Sequence, residues 1–209
     1  MVKIGGSVRI KKIAVTGGIA SGKTTVCRLL QSYGACVISA DEIAHKLLTS
    51  QSTVYTQVIQ LLGHEILTRG EIDRKKVAKQ VFTNPLLLKK LQEILFPRIF
   101  EAIQNAYRAF ETSYDGNIFV AEIPLLYEAG FEGFFDAVIA VKADEKICKK
   151  RFCASMGEDE HEYERRMKFH MDPTQKADRA TYVITNNGSL EELTEKTKEI
   201  FHRVNEDGK

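Results

Sequence analysis

Residues 17–24, Gly-Gly-Ile-Ala-Ser-Gly-Lys-Thr, have the residue types and spacing of a loop that cradles phosphate groups. The pattern G-x-x-x-x-G-K-[ST] points backbone N–H groups at an anion, and its glycines let the chain pass close to it. Lys23 would place a cation on the β and γ phosphates, and Thr24 would offer a hydroxyl to Mg²⁺. Because every fixed position is filled, the segment predicts a site for ATP and a magnesium ion.

A carboxylate at position 122 has the spacing of a second element of such a site. Glu122 directly follows the apolar run 118–121, so a strand beside the first would bring it to the metal and its waters. A carboxylate at the end of a strand can also cap the next turn. The pattern is short, and both interpretations stay open.

A second acid, Asp41, lies just past the apolar segment 36–38. Ligands of open parallel sheets bind at the carboxyl ends of the strands, so Asp41 would face the transferred phosphoryl group. There a carboxylate can accept a hydroxyl proton and orient the attacking oxygen. Alternatively, Ser39 and Glu42 fit a capping box, in which Asp41 only favours the helix dipole.

Hydrophobic patterning predicts the elements that position these residues. Uninterrupted apolar runs predict buried parallel strands at 12–16, 35–38, 117–121, 137–141 and 182–184. Residues 42–112 are far longer than a crossover needs and read as helical throughout, with Pro97 separating the last two helices. The predicted fold is therefore α/β: a three-layer P-loop NTPase core with a five-stranded parallel sheet, a helical insertion, and a smaller charged insertion at 156–180.

Composition excludes several classes of protein. The 30 basic and 28 acidic residues are too balanced for a dedicated nucleic-acid binder. The longest apolar runs are far too short to span a membrane, and the N-terminus lacks a secretory signal, so we expect a cytoplasmic protein. The four cysteines form no C-x-x-C pair and fit buried thiols better than a disulfide or metal framework.

Six segments together are far more specific than the phosphate loop alone: 15–24, 37–41 (Val-Ile-Ser-Ala-Asp), 70–74 (Gly-Glu-Ile-Asp-Arg), 122–128 (Glu-Ile-Pro-Leu-Leu-Tyr-Glu), 150–151 (Lys-Arg) and 182–188 (Tyr-Val-Ile-Thr-Asn-Asn-Gly). In these segments the chain resembles the dephospho-coenzyme A kinase family, over about residues 12–204. The resemblance implies ATP-dependent phosphorylation of the ribose 3′-hydroxyl of dephospho-coenzyme A. It also implies a nucleotide-binding core (11–41, 113–155 and 181–206), a helical coenzyme A domain (42–112) and a lid (156–180).

The resemblance assigns roles to individual residues. Asp41 matches the catalytic base, Arg151 matches an arginine at the lid hinge that meets the ATP phosphates, and the 186–188 turn matches a loop near the adenine. Catalysis is expected from Asp41, Lys23 and Arg151. ATP is expected to contact Gly17, Gly18, Ala20, Ser21, Gly22, Lys23, Thr24, Thr25, Arg151, Asn187 and Gly188. The acceptor is expected to contact Asp41, Arg74, Pro124, Leu125 and Glu128, and the metal Thr24 and Glu122.

Some side chains keep two interpretations. Arg74 would meet the substrate pyrophosphate, or simply pair with a neighbouring carboxylate at 71 or 73. In the lid, one of Arg165 or Arg166 would join Arg151 on the triphosphate, because a planar guanidinium binds phosphate oxygens bidentately. Interleaved glutamates also fit an ordinary solvated helix.

The chain departs from the family pattern at several positions. Ser39 stands where the family usually has Asp, Ala20 where it has Gly, and Phe96 where it has His. The family also favours Gln near His170, and Asp where Thr181 and Thr185 stand. We expect Ala20 to avoid a positive φ, which L-residues rarely adopt. Two other functions fit the same motifs, namely a kinase of another small alcohol such as a nucleoside, and an ATP-binding switch. We expect a monomer or weak homo-oligomer that binds neither nucleic acid nor a membrane.

Overall fold

A five-stranded sheet carries the phosphate loop at its centre. The computed structural model describes residues 10–113 and 116–206. The strands are β1 (Lys11–Gly17), β2 (Cys36–Ser39), β3 (Leu67–Thr68), β4 (Glu71–Ile72), β5 (Ile118–Glu122), β6 (Ala137–Lys142) and β7 (Tyr182–Thr185). The large sheet has the order β2-β5-β1-β6-β7, and β1 pairs in parallel with both of its neighbours. This confirms the predicted α/β class and the five predicted strands.

The helices alternate with the strands along the chain, and four of them fill the long interval between β2 and β5. They are α1 (Lys23–Ser32), α2 (Ala40–Leu47), α3 (Tyr55–Leu62), α4 (Arg74–Val81), α5 (Pro85–Ser113), α6 (Glu145–Met156), α7 (Glu160–Met167), α8 (Pro173–Asp178) and α9 (Leu190–Glu206). Side chains cap several of them. Ser39 accepts a hydrogen bond from the amide of Glu42 in α2, as the capping-box alternative predicts, and Ser189 accepts one from the amide of Glu192 in α9.

Buried aliphatic residues of β1, β5 and β6 form the core of the sheet together with α1 and α9. Ile13, Val15, Val120 and Val141 are each at most 1% exposed. Because β1 lies between β5 and β6, its carboxyl end is flanked on both sides by the carboxyl ends of other strands. Residues that follow these strands are therefore gathered at one edge, where ligands of open parallel sheets bind.

The chain divides into two compact units, one of residues 10–38 and 107–206 and the other Ser39–Ala106. The second unit holds α2, α3, α4 and most of α5. It also contains an antiparallel hairpin of β3 and β4, so the prediction that this interval is helical throughout was wrong. Arg69 and Gly70 have φ of 54° and 85°, and two consecutive positive values favour a tight turn that matches the twist of a hairpin.

Pro97 does not separate two helices as predicted, because α5 continues through it from Pro85 to Ser113. A proline inside a helix removes one backbone hydrogen bond but does not remove the packing of the turns on either side. Leu91, Leu95, Ile99 and Ile103 are all buried at spacings of four, so one apolar stripe crosses the proline. Within the described residues, no helix is both long and apolar enough to cross a membrane.

Candidate active site

The phosphate loop joins the end of β1 to the start of α1. Gly22 has a φ of 104° and precedes α1 without a side-chain cap, which leaves the first amides of the helix directed at the loop. The Ser21 hydroxyl is buried and has no hydrogen-bond partner among the described residues. Lys23 is 8% exposed, and its Nζ donates to the carbonyl of Gly18 at 2.7 Å. The loop thus collects the donors that an oligophosphate requires.

Ala20 has a φ of 55°, so the expectation that it would avoid a positive value was wrong. A single non-glycine residue in this conformation costs about 1–2 kcal/mol. Ile19 and Ala20 pack against the buried residues Cys148 and Phe152, and this contact helps to hold the backbone in place. The strained residue is thus part of the phosphate loop, and strained backbone conformations are often found at functional sites.

Thr24 and Glu122 meet at the position expected for a metal. Thr24 Oγ1 donates to Glu122 Oε1 at 2.8 Å, and Glu122, which pairs with Val15 in the sheet, is 8% exposed. Mg²⁺ prefers hard oxygen ligands and usually takes only one or two from protein, with phosphates and water completing the octahedron. A hydroxyl and a carboxylate side by side fit that chemistry. Burial, followed by the charge of Glu122, raises the pKa of the nearby Cys27 thiol.

The expected adenine end of the site is built from the turn after β7. Arg151 Nη1 donates to the carbonyl of Asn186 at 3.1 Å, and Asn186 Nδ2 donates to the carbonyl of Ser21 at 2.8 Å. A cavity of about 200 Å³ opens here, lined by Gly22, Thr25, Arg151, Asn186, Gly188, Ser189, Leu190 and Leu193. The side-chain amide of Asn187 accepts from the backbone amide of Asp144 and donates to the Asp144 carboxylate, each at 2.8 Å. These two hydrogen bonds join the turn to the start of α6.

The segment after β5 is fixed by a lysine that sequence reasoning missed. Lys176 is fully buried, and its Nζ donates to the carbonyl of Pro124 at 2.6 Å and pairs with Glu128 Oε1 at 2.8 Å. The same carboxylate oxygen accepts from the amide of Met171 at 2.7 Å, and Thr16 Oγ1 also donates to the Pro124 carbonyl at 3.2 Å. In sequence Lys176 is one of many lysines in a charged stretch, and nothing singles it out.

His170 lies close to this network. Burial, then the positive charge of Lys176, lowers its pKa from 6.5 to about 4, although Glu128 acts in the opposite direction. The Lys23 ammonium adds a smaller effect of the same sign as Lys176. The imidazole is therefore neutral at physiological pH, and its buried Nδ1 has no hydrogen-bond partner among the described residues.

Asp41 and Arg74 belong to the second unit. Asp41 is exposed in the first turn of α2, where Ser39 Oγ accepts from the amide of Glu42 at 3.4 Å. Arg74 is exposed at the start of α4. Partial desolvation and then Arg74 lower the pKa of His45, whereas Asp41 opposes the shift, so both predicted residues act on this histidine.

The alternative that Arg74 pairs with a neighbouring carboxylate finds no support. The Asp73 carboxylate accepts from the amides of Lys75 and Lys76 and from the hydroxyl of Thr68. Glu71 accepts instead from the amide and hydroxyl of Ser50. Within the described residues neither acid forms an ion pair with Arg74, whose guanidinium stays at the surface.

Comparison with known proteins gives one consistent result. The family model described as dephospho-CoA kinase matches residues 11–192. The dephospho-CoA kinase of Protochlamydia amoebophila is 40% identical over 198 residues, which is 94% of this chain and 98% of that protein. The crystal structure of TT1252 from Thermus thermophilus superposes with a TM-score of 0.78 at 30% identity, covering 94% and 98% of the two chains. A dephospho-CoA kinase from Campylobacter jejuni has a TM-score of 0.68 at 25% identity, covering 95% and 98%. The chain therefore belongs to the dephospho-CoA kinase family.

Proposed function

We propose that this chain transfers the γ-phosphoryl group of ATP to the ribose 3′-hydroxyl of dephospho-coenzyme A, giving coenzyme A and ADP, the last step of coenzyme A biosynthesis. Membership of the family supports the substrate pair. The observation that carries the proposal is the Thr24–Glu122 pair, which lies at the N-terminus of α1 beside the nearly buried Lys23. Phosphoryl transfer depends mainly on positioning and charge stabilisation, and these three side chains supply both.

Nucleotide binding is assigned along the loop and the turn after β7. The backbone amides of residues 17–25 take the phosphates, and Lys23 neutralises the charge that develops on the transferred group. Thr24 and Glu122 hold Mg²⁺, directly or through water, and the ion would neutralise the phosphate oxygens. We assign the adenine to the cavity of about 200 Å³ that Arg151 and Gly188 line, with Asn187 in the same turn.

Acceptor binding is assigned to the second unit and to the segment after β5. Asp41 acts as the general base that accepts the proton of the 3′-hydroxyl, and Arg74 meets the pyrophosphate of dephospho-coenzyme A. Pro124, Leu125 and Glu128 are assigned to the acceptor as well. We place the reaction in the cytoplasm, carried out by a monomer or weak homo-oligomer that needs no nucleic acid.

A product assay tests the proposal. The purified chain is mixed with Mg-ATP and dephospho-coenzyme A, and mass spectrometry locates one added phosphate on the ribose 3′-oxygen. Lys23→Ala serves as the matched inactive variant, since it removes the loop cation and should leave no turnover. Turnover of a nucleoside but not of dephospho-coenzyme A would overturn the acceptor assignment, and ATP binding that yields no phosphorylated alcohol would favour a switch.

A further inference from the structure

Asn186, the first residue after β7, contacts three other parts of the chain. Its backbone amide donates to the carbonyl of Lys142 at the end of β6 at 2.8 Å, and its carbonyl accepts from Arg151 Nη1 in α6 at 3.1 Å. Its side-chain Nδ2 donates to the carbonyl of Ser21 in the phosphate loop at 2.8 Å. The residue is only 6% exposed. Asn186 is thus fixed through its backbone, and its side chain in turn fixes one carbonyl of the loop.

That carbonyl belongs to the peptide group that joins Ser21 to Gly22. A trans peptide is planar, so its C=O and its N–H point in opposite directions. Gly22 has a φ of 104°, and glycine adopts positive and negative φ about equally well. The glycine therefore offers little resistance to a turnover of this peptide, which would exchange the directions of its carbonyl and its amide. The hydrogen bond from Asn186 holds the carbonyl in one direction and so gives the Gly22 amide the opposite one.

The Gly22 amide lies at the N-terminus of α1, and the Asn186 side chain packs directly against it. A Cβ on Gly22 would lie 2.2 Å from Asn186 Nδ2, so only a glycine lets the side-chain amide approach the loop this closely. The amide of Val26 donates to the carbonyl of Gly22 at 3.1 Å, which begins the hydrogen-bond ladder of α1. Amides ahead of the first such bond face out of a helix N-terminus, where they bind anions. The amide that Asn186 orients is therefore one of those expected to take a phosphate.

We propose that Asn186 is a positioning residue that keeps the Gly22 amide directed at the phosphates of the bound nucleotide without contacting them, an inference that rests on the proposed function. Were the peptide turned over, the carbonyl oxygen of Ser21 would face the phosphates, and its partial negative charge would repel them. Asn186 prevents this through one donated hydrogen bond. This role differs from those expected for Asn187 and Gly188, which concern contact with the nucleotide itself.

Titration calorimetry with magnesium tripolyphosphate tests the assignment, because this probe has the phosphates of ATP and no base. Asn186→Ala removes the donor, and we expect the affinities for this probe and for Mg-ATP to fall by the same factor, about tenfold. Asn205→Ala is the matched control, because Asn205 Nδ2 also donates to a backbone carbonyl, that of Phe201 at 3.0 Å. Asn205 lies about 22 Å along α9 from the start of that helix, and its removal should change both affinities less than about twofold. Asn186→Ser, whose side chain is too short to reach the loop, is the second variant if Asn186→Ala does not fold.

Nitrogen-15 NMR separates positioning from a general structural effect. In the unaltered chain the Gly22 amide proton should move downfield when magnesium tripolyphosphate saturates the site, because a hydrogen bond to phosphate deshields it. In Asn186→Ala this signal should lose most of that shift, whereas the amide of Thr24 should keep its own.

Three results would overturn the inference: a full shift of the Gly22 amide in Asn186→Ala, a loss of affinity confined to Mg-ATP, or an equal loss from Asn205→Ala. The first would show that the amide keeps its direction without Asn186, and the second that Asn186 acts only on the base. Formation of coenzyme A tests the proposed function separately, since these binding measurements need no acceptor and no turnover. A chain that binds magnesium tripolyphosphate as expected but forms no coenzyme A contradicts the proposed function alone, and a chain that does not bind it contradicts both.

Discussion

Lys176 and Glu128 form an ion pair across 2.8 Å, in which the lysine side chain has no exposed surface and the glutamate side chain is 17% exposed. The lysine is also bound to the carbonyl of Pro124, two residues beyond Glu122. The pair thus ties α8, at the end of the predicted lid, to the chain that leaves β5. Burial lowers the pKa of Lys176, and its contact with Glu128 opposes that shift.

Removing the lysine should be costly because it leaves a buried carboxylate without its partner. We expect Lys176→Met to reduce the free energy of unfolding by about 3–5 kcal/mol, measured by urea denaturation. Adding Glu128→Leu should recover much of that loss, since a buried pair can often be replaced by apolar residues. Lys196→Met is the surface control, because Lys196 lies 3.9 Å from the exposed Glu192 and should contribute under about 1 kcal/mol. Equal losses at positions 176 and 196 would contradict the assignment.

The neutral state of His170 predicts a pH dependence of stability. Its pKa is about 4 in the folded chain against 6.5 ordinarily, so between these values the unfolded chain binds more protons. Stability should therefore be complete above about pH 6.5 and should fall as the pH is lowered toward 4. His170→Gln removes this group, and its melting temperature should fall less steeply over that range. Parallel curves for the two proteins would show that His170 is not protonated on unfolding.

Gly17 should tolerate no side chain for a reason that lies in the sheet. Its φ is 146°, and a Cβ there would lie 2.0 Å from the backbone carbonyl oxygen of Val141, its register partner in β6. The Val141 carbonyl belongs to the backbone of a central strand and cannot move aside as a side chain could. We therefore expect Gly17→Ala to destabilise the fold by about 3 kcal/mol or more. Gly133→Ala is the control, since a Cβ there meets no atom within 4 Å. A melting temperature for Gly17→Ala equal to that of Gly133→Ala would refute this placement.

Local patterns in the sequence predict most of the sheet and the phosphate loop. The motif at 17–24 includes the residue at which α1 begins. The apolar run before Glu122 forms β5, which pairs with β1 as expected. These features depend on neighbours in sequence, where propensity and spacing act directly. The same is true of the Ser39 cap, which the capping-box pattern identifies.

The errors and omissions have a different origin, because each depends on contacts between distant segments. Ala20 keeps a φ of 55° because the loop packs on α6 there. Helix α5 continues through Pro97 because its apolar stripe is buried both before and after the proline. Lys176 has no motif, and only the folded chain brings it to Glu128. Long-range packing of this kind overrides local preference and leaves no signal in a single sequence.

The role of Asp41 is best tested by separating binding from chemistry. Asp41→Asn keeps the size of the side chain and removes its ability to take a proton, so we expect kcat to fall about 10²- to 10⁴-fold. The affinity for Mg-ATP should stay unchanged, because the proposal assigns the phosphates to the loop and not to α2. Glu42→Gln is the control, since Glu42 is the adjacent exposed acid in the first turn of the same helix and only its backbone amide contacts Ser39. If Asp41→Asn weakens ATP binding while kcat holds, Asp41 is not the base, and its charge serves the nucleotide or the helix dipole instead.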